Sequence, residues 1–209
     1  VVGDEELTCT INTPDTSCVV TGLANGTPYE FQVKAFNSAG SSDFSASTAA
    51  VVPGETMISR WRTNAESEGS SGPDQIRLPL TATGTYHFTV AWGDGTSTTV
   101  DSDDLDFDHS AVEHAYLSPG EKTVSITGIV EGWRFNGAGD KLKLIEISAW
   151  GPLQLGNQGG YFHGAANLDV TATDSPDLSG TTDLSYAFSG ASTFDSDVAS
   201  WDVSGVQTM

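Results

Sequence analysis

Five aspartates, Asp101, Asp103, Asp104, Asp106 and Asp108, form the densest carboxylate cluster of this chain. Closely spaced carboxylates supply the hard oxygen ligands that calcium takes. The run lacks the glycine and the distal bidentate glutamate of an EF-hand loop. Leu105 and Phe107 interleave with the acids, so a strand with one wet face accounts for the same pattern. A solvated acidic edge is therefore the first reading of 101–108, and a calcium site is the alternative. A second row of acids runs along the last third of the chain: Asp169, Asp174, Asp177, Asp183, Asp195, Asp197 and Asp202. Asp177, Asp183, Asp195, Asp197 and Asp202 are the binding candidates in this row. Carboxylates on a rigid surface can hold calcium, cationic partners or hydroxyl-rich glycans, although solubilising charge is the commoner use of such a row.

Nothing in the spacing singles out a catalytic residue. Asp94 lies in Gly93-Asp94-Gly95-Thr96, where an aspartate stabilises a turn by accepting backbone amides. His87, His109, His114 and His163 have no pairwise spacing of a zinc site. There is no nucleophile elbow, phosphate loop or dinucleotide fingerprint. Two carboxylates for glycoside hydrolysis meet only in a fold, and among 28 acidic residues spacing selects no pair. The chain is expected not to be an enzyme. Trp61, Trp133, Trp150 and Trp201 could stack against sugars if exposed; core packing is the expectation for each.

The elements that carry these residues read as β throughout. Tyr29, Phe31, Val33 and Ala35 alternate with polar residues, the mark of a half-buried strand, and so do Tyr86, Phe88, Val90 and Trp92. Cys9 and Cys18 flank the turn residues Asn12-Thr13-Pro14-Asp15. A hairpin there sets the two sulfurs on facing strands, and a disulfide is expected rather than two buried thiols. The last third repeats itself. Phe162-His163-Gly164-Ala165 returns as Phe188-Ser189-Gly190-Ala191, and Ser175-Pro176-Asp177-Leu178-Ser179-Gly180 returns as Ser200-Trp201-Asp202-Val203-Ser204-Gly205. A period of about 25 residues marks a solenoid, whose units bury their apolar faces only against neighbours. Leu144-Ile145-Glu146-Ile147 lines up more faintly with Leu168-Asp169-Val170-Thr171.

Three resemblances follow from these motifs. Gly22-Leu23-x-Asn25-Gly26-Thr27-x-Tyr29-x-Phe31-x-Val33-x-Ala35-x-Asn37-x-Ala39-Gly40 resembles the second half of a bacterial fibronectin type III domain, in its cysteine-bearing variant. Trp92-Gly93-Asp94-Gly95-Thr96, followed by His114-x-Tyr116-x-x-Pro119-Gly120-x-x-Thr123-Val124, resembles a polycystic-kidney-disease (PKD) type sandwich. That sandwich, then Lys143-Leu144-x-x-Ile147-x-x-Trp150-Gly151, the Phe-x-Gly-Ala turns and Trp201-Asp202-Val203-Ser204-x-Val206-x-x-Met209, together resemble the BspA-like leucine-rich-repeat surface proteins of bacteria over residues 56–209. The unit at 174–184 departs from the pattern, with Asp174-Ser175-Pro176 where the next unit has Trp201.

The expected fold is mainly β: a fibronectin type III-like half sandwich over 1–53, a PKD-like β-sandwich over 54–132, and the start of a leucine-rich-type solenoid over 133–209. The polypeptide is expected to continue on both sides. The net charge of −20 and the pI near 4.1 disfavour nucleic acid and anionic membranes as partners. No apolar run reaches the roughly 18 residues that insertion into a membrane requires. The resemblance implies an extracellular or cell-surface protein that adheres to a protein or glycan ligand. The alternatives are an accessory region of a secreted polysaccharide-degrading enzyme, and a filament subunit that self-assembles through the incomplete sandwich.

Overall fold

The structure, a computed structural model, describes residues 8–11, 20, 29–38, 40–48, 55–101 and 112–209. These residues are all β, with no helix among them, and they fall into two compact units, Val1–Glu55 and Thr56–Met209.

In the first unit, β1 (Phe36–Asn37) and β2 (Gly40–Ser41) pair antiparallel across a tight turn. The pairing continues outward with an uneven step. Ser42, Ser45 and Thr48 donate their N–H groups to the carbonyls of Ala35, Val33 and Phe31, at 2.9, 2.8 and 2.9 Å. One side advances two residues per rung and the other three. The hydroxyls of Ser42, Ser45 and Thr48 accept the N–H of Ala35, Val33 and Phe31 at 3.0–3.1 Å, in the place a carbonyl would take in a regular ladder. Burial along 29–35 is correspondingly uneven. Tyr29 is buried, Phe31 is half-buried, and Val33 is 71% exposed, against the even alternation expected.

The second unit is built on one open sheet. Its strands are β3 (Thr56–Arg62), β5 (Leu80–Ala91), β6 (Ser97–Asp101), β8 (Glu121–Trp133), β9 (Leu144–Ala149) and β11 (Asp169–Val170), in the order β11-β9-β3-β8-β5-β6. The short β10 (Leu153–Gln154) adds in parallel to β8. A separate antiparallel pair, β4 (Gln75–Arg77) and β7 (Glu113–Ala115), brings Ile76, Leu78, Val112 and Tyr116 to the same core. The alternation in β5 places Tyr86, Phe88 and Val90 inward and His87, Thr89 and Ala91 outward, as a half-buried strand requires. β8 meets it with Val130, Gly128 and Ile126, and on its other side pairs with β3.

The sheet does not stop at residue 132. β9 runs antiparallel to β3, with Ser59 opposite Ile147 and Trp61 opposite Leu144, and β11 runs parallel to β9. The core is accordingly one cluster, from Met57 and Trp61 through Trp133 and Phe135 to Phe162, Leu178 and Ala187. Trp61, Trp133 and Phe135 pack with ring centroids 6.3 Å apart, at tilted or edge-on angles that suit aromatic quadrupoles.

A buried ion pair locks the 66–77 loop onto the turn that precedes β9. Asp140 and Lys143 have fully buried side chains, with Nζ 3.6 Å from Oδ1. Asp140 accepts the N–H and hydroxyl of Ser71 and the N–H of Arg77, each at 2.7 Å. The Lys143 ammonium donates to the carbonyls of Ser71, Gly72 and Gln75 and meets the Ser71 hydroxyl, at 2.7–2.9 Å. Burial draws that ammonium below the ordinary lysine range, and Asp140 opposes the shift. By contrast Arg60, bridging Glu121 and Glu146 on the outer face, is exposed. Lys143→Met is expected to cost about 3–5 kcal/mol by leaving a buried carboxylate uncompensated. Arg60→Met is expected to cost at most about 1 kcal/mol. Urea unfolding of the two variants checks the contrast.

Candidate functional site

The tail from residue 133 is a succession of coils joined by two recurring turns. The first turn occurs three times: Phe135-Asn136-Gly137-Ala138, Phe162-His163-Gly164-Ala165 and Phe188-Ser189-Gly190-Ala191. In each copy the alanine N–H donates to the phenylalanine carbonyl at 3.0 Å. In each copy the glycine is left-handed, with φ of 75, 80 and 77°, a conformation that only glycine adopts without a steric cost. A Cβ at Gly164 would sit 3.4 Å from the Gly137 Cα, and one at Gly190 would sit 3.5 Å from the Gly164 Cα. The glycines therefore form a column in which successive backbones nearly touch.

Backbone hydrogen bonds tie each coil to the next. Gly160, Phe162 and Gly164 donate to Ser185, Ala187 and Ser189 at 2.7–2.8 Å, an offset of 25 residues throughout. Inward, Phe162 stacks on Phe188 at 5.2 Å, and Trp150 meets Trp201 edge-on at 5.5 Å. Outward, the column between phenylalanine and glycine carries Asn136, His163 and Ser189.

The second turn explains the acidic row. Asp177, Asp183, Asp197 and Asp202 each open an Asp-Leu-Ser, Asp-Val-Ser or Asp-Val-Ala triplet. Each accepts the N–H two residues on, from Ser179, Ser185, Ala199 and Ser204, at 2.8–3.0 Å. This is the local turn that aspartate side chains make with their own backbone. Asp177 also accepts Gln154 Nε2 of the preceding coil at 2.6 Å, and Asp174 accepts the N–H groups of Trp150 and Gly151 at 2.9 Å. Burial pushes the Asp177 carboxyl up, but its bonds from Ser179 and Gln154 outweigh this and hold it low. Hydrogen bonds from Ser185 and Ser204 lower Asp183 and Asp202. Asp195 is exposed. Asp174, Asp177, Asp183, Asp197 and Asp202 share a structural task, and the row does not converge: among the described residues no three His, Cys, Asp or Glu side chains are placed to hold a metal ion.

A third cluster joins the two sandwich motifs singled out in the sequence. Gly93 and Gly95 are left-handed, with φ of 81 and 90°. Asp94 Oδ1 accepts the N–H and hydroxyl of Thr96 at 3.0 and 2.6 Å, and Oδ2 lies 2.7 Å from His114 Nε2. The His114 ring stacks on buried Trp92 at 4.9 Å, and Tyr116 donates its hydroxyl to the Trp92 carbonyl at 2.9 Å. The bonds from Thr96 and His114 hold the Asp94 carboxyl far below the usual range, while burial raises the Tyr116 phenol. The bonds from Thr96 and His114 to Asp94 close and hold the turn.

The remaining expected sites divide between the described residues and the rest. Asp101 is exposed, with its carboxylate 3.0 Å from His87 Nδ1; Asp103, Asp104, Asp106 and Asp108 lie outside the described residues. Cys9 is exposed, and Cys18 lies outside the described residues. Trp61, Trp133 and Trp150 are buried, and Trp201 is half-buried against Phe188 and Trp150. Two further signals lie in the sequence. Phe135-Asn136-Gly137-Ala138 is a further copy of the repeated turn, and the Asp-(Leu/Val)-(Ser/Ala) triplet recurs four times.

The chain is thus an all-β, multi-unit protein whose second unit joins an open sheet to stacked coils. Residues 2–51 match the fibronectin type III domain family, and residues 133–209 match the family described as Mycoplasma protein of unknown function, DUF285. Both matches are compatible with a surface or extracellular protein. No curated protein and no solved structure matches the chain. Among the described residues no helix is long and apolar enough to cross a membrane.

Acid should reveal the turn aspartates. Carboxyls held low in the folded state stabilise it above the unfolded pKa, near 3.9, and that stability is lost as pH falls through their folded values. The thermal midpoint is expected to drop as pH falls below about 4. A variant with Asp94, Asp177, Asp183 and Asp202 all changed to Asn should melt lower than the parent at pH 7, with the two curves converging toward pH 2, as differential scanning calorimetry would measure.

Proposed function

We propose that this chain is a non-catalytic region of an extracellular bacterial surface protein of the BspA-like leucine-rich-repeat kind, binding a protein or glycan ligand. In this reading the coils of 133–209 are the start of a leucine-rich-type solenoid and form the recognition surface. The fibronectin type III unit and the PKD-like sandwich act as spacers. The observation that carries the proposal is the column of recurring turns. Three copies keep the left-handed glycine and the bond from the alanine N–H to the phenylalanine carbonyl, and pack the phenylalanine against the core, while the residue between phenylalanine and glycine changes from Asn136 to His163 to Ser189. A scaffold that repeats inward and varies outward is how stacked-repeat proteins build extended binding faces. The fibronectin type III match supports the extracellular address, and the step from fold to adhesion is one of analogy. A Cys9–Cys18 disulfide belongs to the same reading, since such bonds persist in oxidising compartments.

Antibodies raised against the purified chain should label intact, unpermeabilised cells of the source organism, and protease added outside should remove the label. Labelling only after permeabilisation would overturn the proposal. Calcium at 101–108 is the second element to test. Added calcium at constant ionic strength should raise the thermal midpoint by mass action, and Asp104→Asn with Asp106→Asn should abolish the shift. An unchanged midpoint in the parent protein removes the metal.

A further inference from the structure

Tyr186 and Asn136 are the two non-glycine residues with left-handed backbone among those described, at φ of 56 and 51°. Asparagine tolerates that region; a bulky aromatic residue does not. One coil earlier the equivalent place, two residues before the phenylalanine of the turn, is held by Gly160 at φ 64°. Glycine therefore satisfies this backbone position within the same array, yet at 186 the chain carries tyrosine. Strained residues of this kind cluster at ligand-binding and active sites.

The ring is not part of the core. Tyr186 is 71% exposed, while the inward places on either side are filled by Leu184, Ala187 and Phe188. It reaches back over the preceding coil and stacks on His163, with centroids 5.9 Å apart and planes 28° from parallel. His163 in turn lies over the left-handed Gly137 of the coil before, where an added Cβ would meet its ring at 3.4 Å. A tyrosine and an imidazole are thus layered on the outer face, in the column whose other members, Asn136 and Ser189, are exposed and polar.

We propose that the outward face of Tyr186, backed by the His163 ring, is a sugar-stacking platform for a neutral extracellular glycan, an inference that rests on the interaction reading above. The C–H face of a pyranose packs on an aromatic face, and its hydroxyls find donors and acceptors in the tyrosine hydroxyl, the imidazole nitrogens, Asn136 and Ser189. The aromatic face flanked by uncharged polar side chains suits a glycan, and the net charge of −20, which repels polyanions, makes a neutral one the glycan that fits.

The test is titration of the whole chain with maltoheptaose, cellohexaose, mannopentaose and N-acetylchitohexaose by isothermal calorimetry. At least one probe is expected to bind. Tyr186→Gly should weaken that probe by about tenfold or more without lowering the thermal midpoint, because glycine relieves the backbone. Tyr186→Phe, which keeps the ring, should retain the affinity and so separates the loss of stacking from a fold defect. Unchanged affinity in Tyr186→Gly, equal loss in Tyr186→Phe and Tyr186→Gly, or no binding of any probe each overturns the sugar surface. If the chain labels on intact cells but binds no probe, only this inference fails. If it is absent from the cell surface, the interaction reading fails as well.

Discussion

A coil of this length cannot close a core of its own, and the second unit is organised around that constraint. Each coil offers a narrow inward row, such as Phe162, Ala165 and Leu168, that must be covered on both sides. The open sheet provides the first cover. β9 lies antiparallel along β3 and takes β11 in parallel on its other edge, so the open sheet becomes the template on which the coils are laid. β10 does the same along the end of β8. The aromatic cluster of Trp61, Trp133 and Phe135 sits beneath this junction, and the Lys143–Asp140 pair clamps the turn that delivers the chain into β9.

The strong negative charge takes on a different meaning once the turns are seen. Aspartate is here a turn residue before it is a ligand. Asp94, Asp177, Asp183, Asp197 and Asp202 each cap an amide two residues on, and Asp174 caps two amides of the preceding coil. Loops that lack helices and carry few long strands must satisfy their backbone donors by other means. Short carboxylate side chains do this locally and add solubility as a by-product. The serine and threonine hydroxyls of the first unit serve the same end, accepting the amides of Phe31, Val33 and Ala35.

Local patterns were legible in the sequence and distant pairings were not. The alternation at 86–92, the two left-handed glycines of Gly93-Asp94-Gly95 and the recurrence at 162–209 all appear in the structure, because each is encoded within a few residues. The continuity of the sheet past residue 132 depends on β9 finding β3, more than eighty positions earlier, and no local pattern records that pairing. Lys143 is another case. A lysine reads as surface charge, and only the convergence of Ser71, Gly72 and Gln75 around it shows that it is buried. The acids at 177–202 read as a binding row because they recur regularly, whereas the serine or alanine two residues after Asp177, Asp183, Asp197 and Asp202 marks a turn. Tyr186 gave no sign at all, since backbone strain is a property of the fold.

The column of left-handed glycines bears on how such a gene can change. Phe135 and Phe162 are 27 residues apart and Phe162 and Phe188 are 26, yet the left-handed glycine and the alanine-to-phenylalanine bond recur at all three. The extra residue is therefore taken up in the segments between turns. Within Phe-x-Gly-Ala an insertion would displace the glycine from the column and set a Cβ against the neighbouring backbone. Recombination between repeats, by contrast, adds or removes a complete coil and leaves every column in register. Such an array can lengthen or shorten between lineages while the sheet that seeds it, and the clamp at Lys143, stay fixed.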